Sequence, residues 1–147
     1  MVIRRAVEAD VAAVAALLAD DDIGAARESA DDLAPYLAAF AAVDADPSEL
    51  LVVAERDGAV VGTLQLSLLP GLSHRGGLRA QIEGVRVARA ARGAGLGGTL
   101  LRWAVAEARD RGCALVQLTT DARRVDAHRF YERLGFEASH VGFKLPL

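Results

Sequence analysis

Between Arg92 and Gly98 the chain reads RGAGLGG, four glycines in seven positions. That is too many for a strand or for the body of a helix. Such a stretch lets backbone approach a ligand closely, and its N–H groups, lacking helical acceptors, can point at phosphate oxygens. Just upstream lies Leu78 to Val87, whose single acid is Glu83. Downstream, Phe130 and Tyr131 stand side by side. The glycines could hold a phosphate, and a carboxylate and a phenol are residue types able to exchange protons.

The strand candidate carrying Glu83 changes phase. Leu78, Ala80 and Ile82 alternate on even positions, whereas Val85 and Val87 continue the apolar face on odd ones. A period of two cannot do that without one extra residue. Gly84 sits at the change, which predicts a bulge that bends the strand, leaves backbone groups unpaired and turns Gln81, Glu83 and Arg86 to the face opposite the apolar one. The alternative is a strand buried on both sides around Val85.

Two patterns fit the glycines. Gly93, Gly95 and Gly98 match a GxGxxG dinucleotide fingerprint, with Asp121 closing the next strand at about the expected ~20-residue distance. Against it, Ala88 to Arg92 separates the strand from the first glycine, and too little chain follows to build a doubly wound sheet. The second pattern is Arg92, Gly95 and Gly97 within VRVARAARGAGLGGTLL, followed by AHRFYERLGF from Ala127 to Phe136. These two stretches, in this order and separated by one strand, resemble the acyl-coenzyme A loop and the C-terminal helix of the GNAT superfamily of N-acetyltransferases.

The resemblance implies acetyl transfer from acetyl-coenzyme A to an amine. It implies that Gly93, Ala94, Gly95, Leu96, Gly97 and Gly98, with Arg92, hold the diphosphate, and that Val85, Arg86 and Val87 pair with the pantetheine arm like an added strand. Ala127 and Phe130 would flank the cofactor. Glu83 would act as general base, directly or through water, and Tyr131 as proton donor to the leaving thiolate. An alkyl ammonium near pKa 10.4 is neutral about once in a thousand at pH 7.4, a handicap of about 4 kcal/mol that a base removes. Tyrosine near pKa 10 and a thiol near 8.5 leave the second transfer uphill by roughly 2 kcal/mol unless the site tunes it. Structural alternatives stand beside each role: Glu83 as a surface carboxylate paired with Arg79 or Arg86, Tyr131 as a core aromatic, Arg92 as a surface arginine. On a helix, Phe130 toward the core and Tyr131 toward the cleft are compatible, since neighbours point about 100° apart. Arg124 stands where members of that family often carry asparagine.

The elements that must position these residues follow from periodicity. Val2-Ile3-Arg4 is a short strand. Val11, Val14 and Leu18 mark a helix with one buried face. Ser29, followed by Asp31 and Asp32, predicts a helix start that Pro35 shifts by a few residues. Leu50–Glu55 and Ala59–Leu69 form a hairpin about Asp57-Gly58. Then come a helix over Gly97–Arg111 stopped by Gly112, a strand over Leu115–Thr119, a helix over Val125–Leu134 and a last strand over Val141–Leu145. This is an α+β fold: a mixed, mostly antiparallel central sheet flanked by helices, one domain over residues 1–147, with a bulged strand before the loop.

Composition limits the partners. The chain has 147 residues, 52% hydrophobic and 25% charged, with a net charge of −3. It has no broad basic field for nucleic acid, no apolar run of about 18 residues for a bilayer, and one cysteine. A cytoplasmic protein is expected, with a small-molecule amine as acceptor and a homodimer compatible. His74, His128 and His140 form no metal-ligand spacing with Cys113, so no metal is expected. Asp20-Asp21-Asp22, Glu28, Asp31 and Asp32 either attract a cationic amine or cap helices and line surface loops. His140 is a weaker candidate for the acceptor pocket. A non-catalytic acyl-coenzyme A sensing module is the alternative function, and a nucleotide-binding domain the third.

Overall fold

A computed structural model describes residues 1–147. They form two compact units, Met1–Gln117 and Leu118–Leu147.

The first unit is built on a five-stranded sheet in the order β1-β2-β3-β4-β5, with β1 Val2–Arg5, β2 Glu49–Arg56, β3 Ala59–Leu69, β4 Arg79–Val87 and β5 Leu115–Leu118. Strands β1 to β4 are antiparallel neighbours. The hairpin turns at Asp57 and Gly58, both at positive φ (52° and 77°), the type I′ geometry that matches strand twist. Helices α1 Val11–Leu18, α2 Asp22–Arg27 and α3 Ala34–Ala45 lie between β1 and β2 in sequence, and α5 Leu96–Asp110 follows β4. A single turn, α4 Ser73–Gly76, joins β3 to β4 with His74 and Arg75 left-handed.

The core follows the predicted alternation. Val52, Leu64, Leu66, Ala80 and Ile82 are fully buried, as are Leu100, Leu101, Ala104 and Ala108 of α5. Each buried leucine or isoleucine contributes about 1.5–3 kcal/mol. Packing is tight at Gly62, where a Cβ would lie 3.0 Å from Leu100 Cδ1 and 3.2 Å from the Arg86 carbonyl. Gly112, at φ 75°, ends α5 as expected.

Three expectations need correction. The helix expected to start at Ser29 begins at Ala34, with Asp32 Oδ1 accepting from the Ala34 N–H at 3.2 Å. The Ser29 N–H instead donates to the Tyr36 hydroxyl. Helix α2 has no expected counterpart: Asp21 caps it by accepting from the Gly24 N–H. The strand expected over Val141–Leu145 is absent. Val141, Phe143 and Leu145 are 80%, 93% and 85% exposed. Alternation makes a strand only where a neighbour completes the ladder, and the one backbone bond within residues 137–147 runs from the Ser139 N–H to the Glu137 carbonyl.

The second unit carries α6, Val125–Arg133. Gly135, at φ 91°, closes it, and the Phe136 N–H donates to the Tyr131 carbonyl at 3.1 Å, the chain reversal of a glycine-terminated helix. No helix in the chain is long and apolar enough to cross a membrane.

Candidate active site

The predicted bulge is present in β4. Gln65 pairs with Glu83 and Thr63 with Arg86, so β4 carries one residue more than β3 between the two pairs. Gly84 takes φ 60°, a left-handed conformation. Because partners across a sheet share a face, Glu83 and Arg86 lie on the same side despite their odd spacing.

That side is the one α1 covers. Val14 and Leu18 of α1, Thr63 and Gln65 of β3, and Glu83 with Gly84 line a cavity of about 200 Å³. Glu83 is exposed at its edge. Its recorded hydrogen bond is accepted from Gln81 Nε2 at 2.9 Å, and it makes no ion pair with Arg79 or Arg86. Gln117 Nε2 in turn donates to Gln81 Oε1 at 2.9 Å, tying β5 to β4. Arg86 faces Asp21, with 3.6 Å between Nε and Oδ2.

Sequence reasoning missed a second carboxylate on this face. Glu49 Oε2 accepts from Gln65 Nε2 and from Ser67 Oγ, both at 2.7 Å. Counting back from Asp57-Gly58 sets Glu49 opposite Leu66; a register shift between Ala54 and Glu55 brings it opposite Ser67 instead, so the turn alone did not reveal it.

Beyond β4, Gly93 (φ 82°) and Gly95 (φ 74°) turn the chain into α5, and an added Cβ at either would stand in open space. These φ values, not crowding, are what require glycine here. The first amide of α5 with an intrahelical acceptor is that of Thr99, to Gly95 at 3.1 Å. The amides from Gly93 to Gly98 have no backbone acceptor, so the segment fits an anionic group: open donors, four glycines and the positive end of a helix dipole. Leu96, at 3% exposed, roots the helix start in the core.

The arginines beside this segment are held by the acidic run. Asp20 receives Arg89 Nε at 3.0 Å and Arg92 Nη2 at 3.3 Å. Arg92 Nε also donates to the Val87 carbonyl at 3.0 Å. Asp21 caps α2, and Glu28 accepts from the Tyr36 hydroxyl and from Arg27. The Tyr36 hydroxyl, with help from Arg27, holds the Glu28 carboxyl below its ordinary range, and Glu28 correspondingly raises the phenol. Much of the acidity read from the sequence is therefore spent inside the fold.

In the second unit, Phe130 and Tyr131 are both half-buried with ring centroids 5.3 Å apart, so Phe130 is not the core residue expected. Tyr131 also meets Phe136 edge-on at 6.0 Å. Ala127 is half-buried, and its N–H donates to the Arg124 carbonyl. His128 lies 3.2 Å from the Asp121 carbonyl. Arg123 holds the Asp121 carboxyl far below the usual range. His140 is exposed and contacts Ser139 Oγ. Cys113 is half-buried, which pushes its thiol up.

Residues 12–136 match the model of the acetyltransferase (GNAT) family. This chain belongs to the GNAT family. The aminoalkylphosphonate N-acetyltransferase of Salmonella typhimurium is 40% identical over 108 residues, 74% of this chain and 70% of that one. The glucosamine 6-phosphate N-acetyltransferase of Trypanosoma brucei brucei is 34% identical over 90 residues, 61% of this chain and 59% of that one. The crystal structure of a transcriptional regulator from Bacillus halodurans C-125 superposes with a TM-score of 0.96 at 45% identity, covering 99% of each chain. GNAT membership makes this protein an N-acetyltransferase, and acetyl-coenzyme A is the co-substrate that the family uses.

Proposed function

We propose that residues 12–136 act as one catalytic domain that moves acetyl from acetyl-coenzyme A to the primary amine of a small molecule carrying a phosphorus oxyanion. Both curated relatives act on amines of that class. The observation that carries the reading is the position of Glu83: at the edge of the cavity, beside the bulge, on the strand that leads into the open amides of residues 93–98.

The bound coenzyme supplies an activated thioester. The chain's own residues do the rest. Amides 93–98 with Arg92 bind the diphosphate, and Val85, Arg86, Val87, Ala127 and Phe130 contact the remainder of the coenzyme. Backbone donors released near Gly84 are available to the thioester oxygen. Glu83 takes a proton from the acceptor ammonium, so that the free amine is the attacking species. As the amine nitrogen bonds to the acetyl carbon and the carbon–sulfur bond breaks, the Tyr131 hydroxyl gives a proton to the departing sulfur and regains one from the proton that the nitrogen sheds on becoming an amide. The cavity walls of Val14 and Leu18 keep water from the reacting amine.

The test is release of free thiol from acetyl-coenzyme A across a panel of amines. Glu83→Gln is expected to lower kcat by about 10²–10⁴-fold and Tyr131→Phe by a smaller factor, both with coenzyme affinity retained. Coenzyme binding without turnover on any amine would favour a sensing module instead.

A further inference from the structure

The sheet face bearing Glu83 carries a row of polar side chains. Register places Arg79 opposite Leu69, Gln81 opposite Ser67 and Glu83 opposite Gln65, so residues 79, 81 and 83 stand on one side. All but one of the polar members of this row have partners. Gln65 and Ser67 donate to Glu49, Gln81 to Glu83 and Gln117 to Gln81. Arg79 is the exception. Its Nε is buried and has no hydrogen-bond partner. Arg86, on the same face, pairs with the Asp21 carboxylate. A buried guanidinium donor without an acceptor is costly in a folded chain, and a ligand oxyanion relieves that cost.

Position along the strand says which ligand. At about 3.3 Å per residue, Arg79 is about 13 Å before Glu83, and Glu83 is about 13 Å before Val87, where the chain leaves for the diphosphate amides. Arg79 is thus about 26 Å from the end of β4 that the coenzyme phosphates occupy, too far to serve them. It lies on the other side of the base, and its side chain, turned along the strand toward Glu83, would meet a group joined to the amine by a few bonds. Its Nη2 is 3.6 Å from where a Cβ at Gly71 would stand, so at this position the glycine leaves the guanidinium uncovered.

We infer that Arg79 is the specificity-determining residue for the acceptor: it binds a phosphonate or phosphate on the substrate while Glu83 receives the proton of the same molecule's ammonium. The planar fork of arginine suits such an oxyanion, which accepts two parallel N–H bonds. This assignment rests on the acceptor class proposed above.

The experiment compares 2-aminoethylphosphonate with ethylamine, the same amine without the anion, at saturating acetyl-coenzyme A. The wild-type chain is expected to prefer the phosphonate by about 10–100-fold in kcat/KM. Arg79→Gln should raise KM for the phosphonate by a similar factor, leave its kcat within about twofold and leave ethylamine turnover unchanged. Arg79→Lys should restore part of the loss. Calorimetry with coenzyme A alone checks that each variant still folds and binds it. An equal effect of Arg79→Gln on both amines, or on neither, overturns the assignment while the acetyltransferase reading survives. If no amine is turned over, direct titration of 2-aminoethylphosphonate into both proteins decides it: equal affinity overturns the Arg79 site, and a loss confined to the variant supports it even as the catalytic reading fails.

Discussion

Gln65 of β3 faces Glu83 of β4, yet the next aligned pair, Thr63 with Arg86, is reached by two steps on one strand and three on the other. The surplus residue turns Arg86 back to the Glu83 face and leaves Gly84 at φ 60°. A Cβ at Gly84 would meet Leu18 Cδ2 at 3.7 Å, an ordinary contact. Gly84→Ala therefore acts through backbone strain alone. It is expected to cost about 1–2 kcal/mol, lowering Tm by about 3–6 °C. Thermal unfolding checks the first effect, and a fall in kcat larger than that in coenzyme affinity checks that the bulge serves the reacting centre.

Asp20 pairs with Arg89 and Arg92, and would compete for them with a bound diphosphate. Asp20→Asn leaves both arginines to the ligand. Coenzyme A should bind about two- to fivefold more tightly in the variant, and the gain should shrink with added salt as exposed charges are screened. Titration at low and high ionic strength measures both.

Asp10 is buried and accepts two hydrogen bonds from Arg4 and one from the Val7 N–H. Arg4 is the main cause holding its carboxyl below the ordinary value of 3.8, with the Val7 bond adding to it and burial opposing. A depressed folded value stabilises above the unfolded pKa and is lost as pH falls through the folded one. Asp10→Asn should cost about 1.5–3 kcal/mol at pH 7. The difference from wild type should close as the pH drops below about 4. Urea unfolding along a pH series tests both the size and the sign.

Leu100 is fully buried on the α5 face and touches the position where Gly62 lacks a side chain. Leu100→Ala is expected to destabilise by about 2–5 kcal/mol. Because the same helix starts at the diphosphate amides, coenzyme affinity should also fall. Chemical denaturation and calorimetry on one preparation separate the two.

What could be read from residues alone was local. Asp57-Gly58 announces a hairpin because both must take positive φ, and Gly84 announces a bulge because the apolar phase breaks there. Leu100, Leu101, Ala104 and Ala108 recur at helical spacing and lie together on the buried face of α5. What could not be read depends on partners far along the chain. Helix α2 spans six residues, too few to show a period, and is defined by the Asp21 cap. The Glu49 cluster and the solitary Arg79 Nε exist only once three strands are in register. Val141 to Leu145 has the pattern of a strand and no ladder to join. The roles assigned to Glu83 and Tyr131 came from motif likeness, and the two residues belong to different compact units.

The turn at Gly93 and Gly95 has one more consequence. Its shape is set by glycine dihedrals, and the helix behind it is pinned at Leu96 and Leu100. The donors are therefore aimed before any ligand arrives, and little ordering entropy is charged against the encounter. Shortened coenzyme fragments that keep the diphosphate should retain much of the parent's affinity, so that competition by such fragments becomes a route to inhibitors indifferent to the acceptor.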